Sequence, residues 1–89
     1  MNQPYLEITY RRGKPLAAYL YLARQEGDRA ERSEPVGDLF VIDRASDGRP
    51  IGVEIITPAE VSAGMLNSLL SQLDQPPLPP ADLEPLQAA

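Results

Sequence analysis

The chain has 89 residues and a net charge of −5, and it contains neither cysteine nor histidine. Disulfides and the usual cysteine or histidine zinc sites are therefore excluded as supports for the fold. A chain of this length buries only about 60% of the surface that its unfolded form exposes. We therefore expect self-association, most simply as a homodimer, to complete a thin core.

The sequence shows no targeting or membrane-spanning pattern. Its first residues, MNQPYLEITY, lack a basic region followed by an apolar run. No stretch approaches the ~20 apolar residues of a membrane span, and the lack of cysteine fits a reducing compartment. We expect a cytoplasmic protein that makes no contact with a membrane.

Alternation of side chains with period two predicts four strands, and two turns join them in pairs. The first two strands, over residues 5–10 and 16–24, flank RRGKP, whose glycine and proline predict a tight hairpin. The other two, over 38–43 and 51–56, flank a loop with Asp47-Gly48, a dipeptide that hairpin turns favour.

The connection between the two pairs predicts how the sheet is ordered. Residues 25–35 are polar and mixed in charge, which is typical of an irregular loop. Because strands that follow each other along the chain usually pair, we expect an antiparallel β-meander in the order 1-2-3-4.

A strong helix start follows the fourth strand. Thr57 is placed to cap the helix, Pro58 suits its first position, and Glu60 completes a capping box. An apolar stripe at helical spacing then predicts an amphipathic helix over 58–73, packed on one face of the sheet. The stripe consists of Val61, Met65, Leu66, Leu69, Leu70 and Leu73.

The last residues, DQPPLPPADLEPLQAA, contain five prolines and three acidic side chains. This composition predicts a Pro-rich acidic disordered tail over 74–89, beyond a single small domain over 1–73. The expected fold class is therefore α+β, a four-stranded antiparallel β-meander with one C-terminal amphipathic helix packed on the sheet.

The stretch DRASDGRPIGVEII has the spacing of a calcium-binding loop. Asp43, Asp47, Gly48 and Glu54 stand at positions 1, 5, 6 and 12 of an EF-hand pattern. Ala45, at position 3, offers no ligand, and predicted strands rather than helices flank the loop. We therefore expect a hairpin with a polar tip, and no metal or other cofactor.

The residue types give catalysis little support. Without histidine a serine lacks its ordinary proton acceptor, and Lys14, the only lysine, lies in a predicted turn. Asp43 and Glu54 would face each other across the second hairpin, where two carboxyl groups can act as acid and base. With Asp47 they define one alternative, a metal-dependent or carboxylate-based small enzyme. We expect a protein that is not an enzyme.

Two groups of residues predict an interaction surface. Tyr19 and Tyr21 lie on one side of the second strand, and each combines a large ring with a polar tip. Arg11, Arg12 and Lys14 are clustered in the first turn. They leave a weak nucleic-acid binder as a second alternative, although the negative net charge argues against a phosphate partner.

These observations predict a non-enzymatic interaction protein that is homo-oligomeric and binds another protein. The sheet face that carries the two tyrosines, or an edge strand, would provide the surface of a homodimer.

The segments ITY, AYLYL, FVID and DGRPIGVEII, in this order, resemble the DUF2283 family of small bacterial proteins. The resemblance covers residues 6–58, and its most specific part is Asp47-Gly48-Arg49 followed by IGVEI. RRGKP replaces the family's acidic first turn and reverses its charge. The resemblance implies a compact β-sheet domain with a helix and no activity that carries over, and an antidote-like role beside a partner protein is compatible with it.

Overall fold

The computed structural model describes residues 4–87, which form an antiparallel five-stranded sheet and two α-helices. Residues 1–3 and 88–89, which belong to the predicted domain and tail, lie outside this part. The strands are β1 (Tyr5–Arg11), β2 (Lys14–Tyr21), β3 (Arg32–Val36), β4 (Phe40–Arg44) and β5 (Pro50–Ile55). A 3₁₀ turn at Pro58–Glu60 precedes helix α1 (Ala63–Gln72), and helix α2 (Pro80–Gln87) follows. Neither helix of the described chain is long and apolar enough to cross a membrane.

The strands follow the order β1-β2-β5-β4-β3, so the predicted order 1-2-3-4 is wrong. The last strand lies in the middle of the sheet and pairs with both β2 and β4. Its side chains Ile51, Val53 and Ile55 are fully buried, at 0% exposure. The most apolar strand gains most from neighbours on both sides, which explains its central position.

The sheet contains one strand more than predicted, because part of the expected loop over 25–35 forms β3. This edge strand pairs only with β4, from Arg32↔Arg44 to Val36↔Phe40. Four of its five residues are exposed, so no apolar alternation marks it in the sequence. Pro35 is tolerated there because an edge strand leaves some backbone groups unpaired.

The helix predicted over 58–73 is interrupted near its start. Val61 has an extended backbone, with φ −110° and ψ 121°, and its side chain is buried. Thr57 makes no side-chain cap. Instead Ser62 caps α1, because its Oγ accepts a hydrogen bond from the Met65 backbone N–H at 3.1 Å. The predicted helix start at Thr57 is therefore wrong: residues 58–60 form a 3₁₀ turn, and the α-helix begins at Ala63.

A second helix, α2, lies in the segment 74–89 that was expected to be a disordered tail, so the prediction of one helix is corrected. Leu78, Leu83 and Leu86 of this segment are buried in the same core as the sheet. The Leu78 backbone N–H also donates to Asn67 Oδ1 at 3.0 Å. Burial of a leucine stabilises by roughly 1.5–3 kcal/mol, and three of them offset the helical hydrogen bonds that proline removes.

Both helices pack on one face of the sheet and leave the other uncovered. Ala18 and Leu20 of β2 join the leucines of α1 and α2 in one core, whereas Tyr19 and Tyr21 beside them are only half-buried. We call the uncovered side the open face. Its residues are Tyr5, Glu7, Thr9, Ala17, Tyr19, Tyr21, Ser33, Pro35, Val41, Asp43, Gly52 and Glu54.

Candidate functional site

Three tyrosines and one arginine touch each other on the open face. The rings of Tyr5 and Tyr21 are stacked, with centroids 4.5 Å apart and an interplanar angle of 14°. Tyr19 meets Tyr21 edge-on, with centroids 4.7 Å apart. The Arg24 guanidinium carbon lies 5.5 Å from the Tyr21 centroid, and its Nε donates to the Ile51 carbonyl at 3.2 Å. Tyr21 therefore connects the group, which we call the tyrosine cluster (Tyr5, Tyr19, Tyr21 and Arg24).

Tyr19 is held in place by a short chain of hydrogen bonds across the sheet. Its hydroxyl donates to Asp43 Oδ2 at 2.7 Å, and the Ser33 hydroxyl donates to Asp43 Oδ1 at 2.7 Å. Both oxygens of the carboxylate are thus engaged. Burial raises the pKa of the Tyr19 hydroxyl, and the bond to Asp43 raises it further.

Gly52 makes room for the Tyr19 ring. It is buried beneath this ring, and a β-carbon at position 52 would lie only 2.7 Å from Tyr19 Cε2 and closer still to the hydroxyl. Glycine in the middle of a strand often marks such a close approach. The ring therefore leans from β2 across β5 to reach Asp43 on β4.

Exposed carboxylates stand beside the rings. Glu7 accepts a hydrogen bond from the Tyr21 hydroxyl at 3.3 Å. Burial raises the pKa of Tyr21, and the Glu7 charge adds to this. Glu54 lies opposite Tyr19 in the β2–β5 pairing and is exposed. An aromatic surface with exposed carboxylates at its side favours a cationic group in the partner.

The stretch DRASDGRPIGVEII forms the predicted hairpin with a polar tip. Gly48 has φ +91°, and its N–H donates to the Ala45 carbonyl at 2.9 Å, which closes the turn. Arg49 bridges Asp47, through Nε at 2.7 Å, and Asp28, through Nη2 at 2.8 Å. Hydrogen bonds from Arg49 hold the pKa of both carboxyls below their usual value. This arginine therefore ties the loop before β3 to the β4–β5 turn.

The three carboxylates of the predicted alternative site do not come together. Asp43 is engaged by two hydroxyls on the open face, Asp47 is bound by Arg49 in the turn, and Glu54 lies opposite Val41. Within residues 4–87 no three acidic side chains form a group that could hold a metal ion. Their placement gives no support to the carboxylate-based alternative.

The predicted basic residues lie away from the tyrosine cluster. Arg11 pairs with Lys14 at the tip of the β1–β2 hairpin, whereas Tyr5 pairs with Tyr21 at the other end of the same two strands. The turn between them, at Arg12 and Gly13, confirms the tight connection expected from RRGKP. The five predicted surface residues thus form two separate groups.

Two members of the tyrosine cluster were absent from the predicted surface. Tyr5 shares the side of its strand with Glu7 and Thr9, but only the register of β1 against β2 places it beside Tyr21. The predicted strand over 16–24 extends to Arg24, but β2 ends at Tyr21, and beyond that end strand alternation does not set the direction of a side chain. Gly52, isolated in an apolar strand, was the one signal in the sequence for a ring that crosses the sheet.

The comparisons with known proteins assign no function to the open face. No protein-family model matches the sequence. No curated protein and no solved structure matches it. The similarity to the DUF2283 family, carried mainly by the second hairpin, stays a prediction.

Proposed function

We propose that this chain is a non-enzymatic interaction protein whose open face binds a basic segment of a protein. The observation that carries the proposal is the tyrosine cluster, in which three rings and one guanidinium touch on a face that neither helix covers. Tyrosine and arginine are enriched at protein interfaces because they combine a large contact area with polar ends.

The negative charge of the open face favours a partner that carries positive charge. Glu7 and Glu54 are exposed beside the rings, and the whole chain carries a charge of −5. Arg24 already packs over Tyr21, and this contact supports the idea that a ring of the cluster accepts a guanidinium. An arginine or lysine of the partner would stack on a ring and pair with a carboxylate.

The open face is also ordered before any partner arrives. Asp43 fixes the Tyr19 hydroxyl, and the stacking of Tyr5 on Tyr21 fixes a second ring. A ring that is already immobilised loses little conformational entropy on binding, so more of the contact energy appears as affinity.

Two other functions find weaker support. Of the three carboxylates of an enzyme, Asp43 is engaged by the Tyr19 hydroxyl and Asp47 by Arg49, and only Asp43 and Glu54 share the open face. A nucleic-acid site would have only the hairpin tip as its basic surface, in a chain whose net charge repels phosphate. A steep fall of affinity with rising salt would identify such a site.

Binding of a basic peptide tests the proposal. The protein is titrated into a trace of fluorescein-labelled hexa-arginine, and fluorescence anisotropy gives the affinity. We expect Glu7→Gln with Glu54→Gln to weaken binding about fivefold, because two carboxylates beside the rings are lost. The matched control is Glu26→Gln with Asp38→Asn, which removes the same charge from exposed positions outside the open face.

The control separates a site from general charge attraction. The proposal predicts that the control variant binds hexa-arginine as the wild type does. Equal loss of affinity in both double variants would mean that only net charge attracts the peptide. Failure of the wild type to bind, at concentrations where it is monomeric, would also contradict the proposal.

A further inference from the structure

The β1–β2 hairpin extends past the rest of the sheet. β2 pairs with β5 only from Ala18 to Tyr21, so within residues 4–87 the segment 14–17 has β1 as its only neighbouring strand. At ~3.3 Å per residue this part is about 13 Å long. We call residues 9–17 the hairpin arm. A two-stranded ribbon is only marginally stable alone, so the arm gains from any surface that packs against it.

The hairpin arm carries apolar surface that the described part of the chain leaves exposed. Tyr10 is 53% exposed and Leu16 is 54% exposed, the highest values among the large hydrophobic side chains within residues 4–87. Apolar side chains at the end of a projecting arm are available for a partner.

The tip of the arm combines positive charge with an unfavourable backbone. Arg12 has φ +54° and Gly13 has φ +76°, the signs required in a tight two-residue hairpin turn. Asparagine, aspartate or glycine is the usual residue at the first of these positions. An arginine there costs conformational free energy, because its backbone is left-handed. Such a cost is often found where the side chain has a function. Arg11, Arg12 and Lys14 form no ion pair with any other residue of the described chain.

We propose that the hairpin arm docks on the open face of a second copy of this chain. This inference rests on the proposed function, because it names the basic segment that the open face binds. The cations of the tip complement the exposed Glu7 and Glu54 of the other copy. A twofold axis would form the contact twice, once for each arm, and would cover apolar surface that the thin core leaves exposed.

The arm cannot serve its own tyrosine cluster. Arg11 and Tyr5 lie at opposite ends of β1, so about 20 Å of extended strand separates their backbones. The cations of the tip reach a tyrosine cluster only when that cluster belongs to another molecule. The charge complementarity between the tip and the carboxylates beside the cluster, Glu7 and Glu54, is therefore proposed between two molecules.

A charge-swap experiment tests the docking. The tip variant carries Arg11→Glu and Arg12→Glu, and the face variant carries Glu7→Lys and Glu54→Lys. We expect each variant alone to dimerise at least about tenfold more weakly than the wild type, because like charges then meet at both contacts. An equimolar mixture is expected to recover a heterodimer, since each arm then meets a face of opposite charge. Sedimentation equilibrium measures the masses, and circular dichroism verifies that both variants fold.

A variant with the same change of net charge outside the open face provides the control. The face variant brings the charge of the chain from −5 towards zero, so an effect of overall repulsion alone would strengthen its self-association. The variant Glu26→Lys with Asp38→Lys, which changes the same charge outside the open face, is expected to dimerise as the wild type does.

Each contrary result has a distinct meaning. A wild type that is monomeric at all concentrations, or a tip variant that dimerises normally, would overturn the docking of the arm. The proposed function would survive either result if hexa-arginine still binds through Glu7 and Glu54. Binding of a single-stranded DNA oligomer that the tip variant loses, with a monomeric wild type, would instead assign the arm to phosphates.

Discussion

The ring of Tyr19 lies directly over Gly52, on the neighbouring strand β5, and no side chain larger than a hydrogen atom fits beneath it. The contact links β2 with β4 across β5, because it lets the Tyr19 hydroxyl reach Asp43 on β4. The geometry of the open face therefore depends on the absence of one β-carbon.

The substitution Gly52→Ala should displace the Tyr19 ring. We expect the free energy of unfolding in urea to fall by about 1–3 kcal/mol, the usual cost of overpacking. The loss of the Tyr19 hydrogen bond to Asp43 is part of that cost. The backbone at Gly52 does not have a positive φ, so alanine causes no strain in the main chain itself.

A double-mutant cycle isolates the role of the ring. In a Tyr19→Ala background the clash is absent, and Gly52→Ala should then be neutral or stabilising by up to about 1 kcal/mol. An equal cost of Gly52→Ala in both backgrounds would show that the ring does not occupy this position in solution.

The Tyr19 hydroxyl should make stability sensitive to alkaline pH. Its pKa is raised in the folded protein, first by burial and then by Asp43, so the folded state holds this proton more tightly than the unfolded state. The contribution is complete below pH about 10, the ordinary tyrosine value, and is lost as pH rises above it. Tyr19→Phe should cost about 1 kcal/mol at neutral pH and reduce the alkaline loss.

Urea unfolding at several pH values, together with the absorbance of tyrosinate, measures this effect. Tyr10→Phe is the matched control, because Tyr10 is exposed and makes no hydrogen bond through its hydroxyl within the described chain. An identical alkaline dependence of wild type and Tyr19→Phe would contradict the prediction.

Arg49 should make the free energy of unfolding depend on pH in the acidic range. Its hydrogen bonds lower the pKa of Asp28 and Asp47 from 3.8, so the folded state releases these protons more readily than the unfolded state. The contribution is present above pH about 4 and is lost as pH falls below it. Arg49→Gln should flatten this acid dependence and speed amide exchange of residues 25–31 about fivefold.

Arg29→Gln provides the comparison for this loop. Arg29 is 87% exposed in its side chain and lies 3.7 Å from Glu31, so its loss should leave both the acid dependence and amide exchange unchanged. Equal effects of the two substitutions would show that Arg49 does not specifically tie the loop to the turn.

Helix α2 should contribute to the core. Leu83 is 2% exposed, and Leu83→Ala should lower the free energy of unfolding by about 2–5 kcal/mol because it leaves a cavity. Glu84→Ala, at the next and exposed position, should change it by less than about 0.5 kcal/mol. If both substitutions were neutral in urea unfolding, the C-terminal segment would be the disordered tail that its prolines predict.

The sequence predicted the strands that have apolar alternation. It did not predict strand β3 and helix α2, which lack a regular apolar pattern. β1, β2, β4 and β5 each alternate, and the structure confirms them within a few residues. β3 has only Val36 on the apolar side of its strand, and α2 has apolar positions spaced between prolines. Both elements are stabilised by contacts with distant residues, which local patterns do not contain.

Only two members of the tyrosine cluster on the open face were predicted, again because local patterns do not contain contacts between distant residues. Tyr19 and Tyr21 are visible as a pair because they are two residues apart on one strand. Tyr5 joins them through the register of β1 against β2, and Arg24 joins them through the direction of its side chain beyond the end of β2. Since the predicted order placed β4 rather than β5 beside β2, the path from Tyr19 over Gly52 to Asp43 was not foreseen.

The solution mass of the protein, measured by light scattering across a range of concentrations, tests most directly whether a second copy of the chain docks on the open face. We expect the wild type to have about twice the chain mass of 9.7 kDa, and Tyr5→Ser with Tyr21→Ser to be monomeric. Met65→Ser, which alters an exposed side chain on α1, should remain dimeric. A wild type that is monomeric throughout, or a double tyrosine variant that dimerises normally, would contradict the docking of a second copy on the open face.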